Sequence, residues 1–105
     1  MDIGNIKNHA DLNFKVSQAK KNALEKLRSR QLMAYNERLF RADANTINLV
    51  KNLMERLDSF VVLDVNDNPC DIEDPKDFLD TLIERNQETI NSYKKIHEDL
   101  AKRLK

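Results

Sequence analysis

The chain has 105 residues, 40% of them apolar, 34% charged and only 6% aromatic, with no tryptophan, one glycine and two prolines. That composition suits long solvated helices and supplies little for a thick globular core. Net charge is zero, so overall charge selects no partner, and the lone Cys70 excludes a fold stapled by internal disulfides.

The charge is unevenly spread. Residues 1–57 carry eleven Lys/Arg against six Asp/Glu, residues 58–84 one against nine, and residues 85–105 six against three. A basic arm, an acidic junction and a basic tail attract one another over a Debye length of ~8–10 Å, within a chain or between chains. No apolar run approaches the roughly 18 residues that span a bilayer. The start MDIGNIKNHAD has neither the basic nor the apolar region of a secretory leader. The expectation is a cytoplasmic protein, or a virion component made in the cytoplasm, with no membrane partner.

In chain order, residues 1–8 hold the only glycine, Gly4, and read as a flexible arm. Asn8 and Asp11 suggest a helix start, with Asn5 as an equal alternative cap. From Asn8 to Phe60 there is neither glycine nor proline. The apolar spacing predicts one long helix over 9–59, roughly 75 Å at ~1.5 Å per residue, or else a break near 29–36 that would give a compact three-helix bundle. Its first half offers the narrow stripe Val16, Ala19, Ala23, Leu24, Leu27, Ala34 and Tyr35. Its second half offers the wider set Leu39, Phe40, Ile47, Leu49, Val50, Leu53, Met54, Leu57, Phe60 and Val61, broad enough for two neighbours.

Residues 60–74 break the helical period. FVVL is β-branched, VNDN is turn-forming and PCDI can return, so a small β-hairpin or an acidic loop is expected there. Asp74 as N-cap, Pro75 at the first helical position and Asp77 then open a helix predicted over 75–104. Its apolar positions follow heptads: Leu79, Asn86, Tyr93 and Leu100 in one column, Ile83, Ile90, His97 and Leu104 in a second, Leu82 and Ile96 in a third. Asn86 on such a seam would trade stability for register. The resulting expectation is an all-α single domain, a long helical hairpin with coiled-coil-like packing. Folded back, the shorter helix reaches only residues 30–57, leaving 11–28 without an intrachain partner, and self-association follows.

No chemistry is signalled. Asp64, Asn66 and Asn68 have the spacing of the first three EF-hand ligands, but Pro69 stands where glycine is required and Pro75 where the bidentate glutamate belongs. Cys70, His9 and His97 form no nucleophile–base signature, and one glycine allows no phosphate loop. The expectation is a protein without catalytic, cofactor or metal residues. Lys15, Lys20, Lys21, Lys26, Arg28 and Arg30 accompany only Glu25 over residues 12–30. They are the candidate set for nucleic acid or for an acidic partner, although they form no single narrow stripe and no aromatic stacking platform adjoins them.

Thr81-Leu82-Ile83, Thr89, Lys95-Ile96-His97 and Asp99-Leu100 resemble the second helix of the central hairpin in small terminase subunits of tailed, T-even-like phages. The likeness covers about twenty residues. It implies an oligomer of paired helices that assists a DNA-packaging motor, and it departs at the junction, where that family has a very short turn. The function expected from the whole is a non-enzymatic assembly or adaptor protein, such as a phage assembly component. A nucleic-acid-handling accessory and a small regulator of a host protein are the alternatives. Its self-association and packing face comprises Leu39, Phe40, Ile47, Val50, Leu53, Met54, Leu57, Leu79, Leu82, Ile83, Asn86, Ile90, Tyr93 and Leu100.

Overall fold

The computed structural model describes the backbone of residues 3–103 and the side chains of residues 12–103. In order, the elements are α1 (Ile3–Arg30), β1 (Leu32–Tyr35), β2 (Arg38–Arg41), α2 (Ala44–Met54), β3 (Phe60–Leu63), β4 (Pro69–Ile72) and α3 (Pro75–Arg103). Among the described residues there are thus three helices and two antiparallel two-stranded hairpins, β1–β2 and β3–β4. The fold is mixed α+β, and the all-α helical hairpin expected from the sequence is overturned. The chain divides into two compact units: residues 30–89, and the N-terminal helix to Ser29 together with the chain from Ile90 onward.

The interval 9–59 is not one helix. α1 stops at Arg30, and a hairpin with the register Met33↔Phe40 and Tyr35↔Arg38 follows. Its two-residue turn, Asn36–Glu37, has positive φ at both positions, 50° and 63°. This is the primed geometry whose twist matches that of the strands. Asparagine tolerates that region and glutamate does not favour it. The turn therefore has no glycine to announce it. Burial, not propensity, fixes the strands: Met33 and Phe40 face the core together, while Ala34 and Leu39 face out.

Residues 3–8 belong to α1, which corrects the flexible arm over that range. A helix already running through Asn8 also removes the cap assigned there. Residues 1, 2, 104 and 105, and the side chains of Asn5, Asn8, His9 and Asp11, lie outside the described residues.

In the unit of residues 30–89, one core is shared by both hairpins and both helices. Met33, Phe40 and Ala42 come from the first hairpin and its exit, Val50 from α2, Phe60, Val62, Cys70 and Ile72 from the second hairpin, and Phe78 and Leu82 from α3. Phe78 meets Tyr35 and Phe40 edge-to-face, each at 5.0 Å between ring centroids. The Tyr35 hydroxyl donates to Asp77 Oδ2 at 2.9 Å. Burial first, and then this bond to a carboxylate, push the Tyr35 pKa up to about 12.

Capping sets the helix starts. Asp43 Oδ1 accepts from the Thr46 N–H at 2.9 Å, and Asp74 Oδ1 from the Asp77 N–H at 3.2 Å. Asn86 Nδ2 donates to the buried Ala42 carbonyl at 2.9 Å, so it satisfies backbone at the β2–α2 link and is not a register-setting seam residue. Arg85 donates through Nε to the Leu32 carbonyl and through Nη2 to the Arg30 carbonyl, both at 2.9 Å, fastening the start of the first hairpin to α3.

In the other unit, α1 and the C-terminal part of α3 bury Val16, Ala23 and Leu100. This corrects the expectation that residues 11–28 lack an intrachain partner and that α3 covers only 30–57. The columns 86/93/100 and 82/89 line the inner face of α3, while Ile90, Ile96 and His97 are exposed. The residues resembling the terminase helix thus fall across both units.

Glu37→Gly is expected to stabilise the protein by about 1 kcal/mol, because glycine adopts φ near +60° without the Cβ clash. A urea midpoint that does not rise would show that the turn costs nothing as it stands.

Candidate functional site

The surface that the fold leaves unexplained is the outward face of the β3–β4 hairpin. The register Phe60↔Ile72, Val61↔Asp71, Val62↔Cys70 and Leu63↔Pro69 sends Phe60, Val62, Cys70 and Ile72 into the core. Val61, Leu63, Pro69 and Asp71 therefore share the other face, where Val61 is 54% and Leu63 61% exposed. An antiparallel hairpin with one solvated face normally alternates apolar-in and polar-out. Here three of the four outward positions are apolar.

The turn that holds this face is tightly specified. Asp64 N–H donates to the Asn68 carbonyl at 2.9 Å, Asp67 N–H to the Asp64 carbonyl at 3.1 Å, and Asp67 takes φ of 62°. Asp64 Oδ1 accepts from the backbone N–H groups of Asn66 at 2.8 Å and Asn68 at 3.0 Å. Its other oxygen, Oδ2, lies 3.6 Å from Arg38 Nη1, and the side chain is only 5% exposed. The same Arg38 nitrogen donates to the Pro69 carbonyl at 3.0 Å, and the Val65 N–H donates to the Leu39 carbonyl at 2.9 Å. Both ties lock the second hairpin's turn to β2. The Asp64, Asn66, Asn68 spacing is therefore that of an Asx-type turn, with the carboxylate already engaged by N–H groups. The backbone N–H of Asn68 contributes most to holding the Asp64 carboxyl below its ordinary range, with Asn66 and Arg38 adding, against the opposing effect of burial.

Shallow hollows flank this turn. One of about 580 Å³ is lined by Glu37, Arg38, Leu39, Asp64, Asn66, Asn68 and Pro69. A second, of about 210 Å³, is lined by Arg41, Thr46, Leu63, Asp64, Val65 and Asp67. Thr46 of α2 thus stands beside Leu63. Leu49, Leu57 and Leu39 are all about half exposed. A third hollow, of about 330 Å³, lies between β1 and α3 and includes Arg85 in its lining.

The residues expected to form one packing face are divided by the fold. Phe40, Val50, Leu82, Asn86 and Leu100 are buried, and Ile47, Leu53, Met54, Leu79, Ile83 and Tyr93 are half-buried. Leu39, Leu57 and Ile90 are exposed. They serve two units rather than one seam. Lys15, Lys21, Lys26, Arg28 and Arg30 are exposed and Lys20 half-buried. Lys15 and Lys26 share one line of α1, Lys21 and Arg28 another, and Lys20 flanks the buried side, so no continuous basic stripe forms. Cys70 is buried, and the exposed His97 lies against Tyr93 at 6.0 Å between ring centroids.

Sequence reasoning missed Phe78, Met33 and the Asp43 cap. Phe78 carried a signal, because Phe78, Leu82 and Asn86 step by four along one helix face. No cluster of His, Cys, Asp or Glu among the described residues is arranged to hold a metal, and no helix among them is long and apolar enough to cross a membrane. No family model, curated protein or solved structure matches the chain.

Asp64→Ala is expected to lower the urea midpoint at neutral pH. Asp64→Asn should lower it less, since the amide oxygen still accepts both N–H groups. Because the folded-state pKa is depressed, this stability is present above about pH 4 and is lost as pH falls through the depressed value. A gap between wild type and Asp64→Ala that stays unchanged well below pH 4 would contradict the assignment.

Proposed function

We propose that the chain is a non-enzymatic assembly or adaptor protein that acts by self-association. The observation that carries this reading is the outward face of β3–β4, where Val61, Leu63 and Pro69 stand exposed although the hairpin's core contacts are made entirely from its other side. Apolar residues at strand positions that the fold does not need are free surface for a partner. Leu49 and Leu57 extend the same apolar character onto α2 and the link that follows it. The acidic turn beside this face serves structure, since its one buried carboxylate is engaged by the turn's own N–H groups and by Arg38.

Sedimentation equilibrium tests the reading. The full chain is expected to show a weight-average mass that rises with concentration in the micromolar range. Leu63→Asp should reduce that association about tenfold or more while leaving the helical circular-dichroism signal intact, because its side chain already faces solvent. A monomer at every concentration would remove self-association and leave docking on a different protein as the remaining form of an adaptor. Unchanged association in Leu63→Asp would remove this face from the contact.

A further inference from the structure

A second exposed line lies on α1. Phe14, Lys21 and Arg28 are seven residues apart and so share one line, roughly opposite the buried line of Val16 and Ala23. Phe14 is 70% exposed, more than any other large apolar side chain described. Of the six Lys/Arg in residues 12–30, Lys21 and Arg28 lie on this line, where the segment's single acidic residue, Glu25, adjoins them. The hairpin has the opposite character: residues 58–74 carry six Asp/Glu and no Lys/Arg. Along its outward column the strand passes from apolar Pro69, opposite Leu63, to Asp71, opposite Val61, and the exposed Glu73 follows in the bend just past the strand's last residue, Ile72.

From these two surfaces we infer that copies of the chain join head to tail, the Phe14–Lys21 line of α1 in one copy docking on the Leu63–Pro69 and Asp71–Glu73 column of the next. This rests on the self-association reading and names its two surfaces. The spacing agrees. Seven residues of helix separate Phe14 from Lys21 by about 10 Å. A strand step of about 7 Å puts Asp71 about 7 Å from Pro69, and Glu73 lies two residues farther along the chain. With Phe14 seated on Leu63 and Pro69, Lys21 comes within reach of the Asp71 carboxylate and the acidic end of the hairpin.

The charges also select the mode of pairing. The proposed contact sets Lys21 and Arg28 toward Asp71 and Glu73, whereas pairing either set with its own copy would bring these like charges together. Such a contact is heterologous, leaves one surface of each kind open on every pair, and continues into a ring or a chain.

The experiment is sedimentation of the full chain at low and high salt, alone and mixed. Wild type should grow in mass with concentration and lose association as salt rises. Lys21→Glu/Arg28→Glu and Asp71→Lys/Glu73→Lys should each associate about tenfold or more weakly. An equimolar mixture of the two should recover the association, since reversed α1 then meets reversed hairpin and native meets native. Recovery on mixing also shows that neither variant failed by unfolding. If wild type associates but either variant does so equally well, or if the mixture stays dissociated, the head-to-tail contact is wrong and self-association stands. If wild type is a monomer throughout, the reading beneath it fails as well.

Discussion

The unit of residues 30–89 depends on the single core in which Phe78 of α3 is buried together with residues of both hairpins. A two-stranded hairpin is at best marginally stable alone in water, and this unit has two of them, each four residues per strand. Neither extends the other into a larger sheet. They become stable by sharing a core, in which Phe40 of β2 is matched in size and full burial by Phe78, near the start of α3. Its edge-to-face contacts with Tyr35 and Phe40 add about 0.5–1.5 kcal/mol per pair beyond the area they bury. The Asp74 cap and Pro75 therefore have a tertiary consequence. They fix where α3 begins, and so where Phe78, four residues after the cap, enters the core.

Where a local rule and a tertiary demand coincide, the sequence is readable. Asp74–Pro75 starts a helix by capping chemistry alone, and β-branched FVVL followed by VNDN makes a strand and a turn by local preference. At β1–β2 no local rule is visible. LMAY and RLFR contain leucine, methionine, alanine and arginine, all good helix formers, and their turn has asparagine and glutamate where glycine would have marked the reversal. Burial of Met33 and Phe40 in the shared core overrides helix propensity there. The same override hid the division of the chain. Once residues 32–41 are a hairpin, α1 no longer competes for the partner assigned to residues 30–57, and the far end of α3 remains to pair with it.

Several polar side chains of this unit are tied to its own backbone for a related reason. Asp64, Asn86 and Arg85 each answer backbone groups: two turn N–H groups, the Ala42 carbonyl, and the carbonyls of Arg30 and Leu32. Short strands and tight reversals leave many backbone donors and acceptors outside regular ladders, and buried ones must be matched. A chain folded this way spends side-chain polarity on its own backbone, so spacings that imitate a ligand set, such as that of Asp64, Asn66 and Asn68, arise from turn formation.

The apolar residues left outside follow the opposite logic. Val61 and Leu63 contribute β-propensity to β3, but threonine would serve the strand as well without exposing as much apolar surface. Nothing in the core requires them, because Phe60 and Val62 already provide the inward pair. Phe14 likewise faces away from Val16, whose burial α1 does require. The two places with the most exposed apolar side chains, Phe14 on a helix line and Val61 with Leu63 on a hairpin face, lie in segments of opposite net charge. A fold-only account explains neither excess, whereas a contact between unlike surfaces of neighbouring copies explains both, together with the charge segregation of a chain whose net charge is zero.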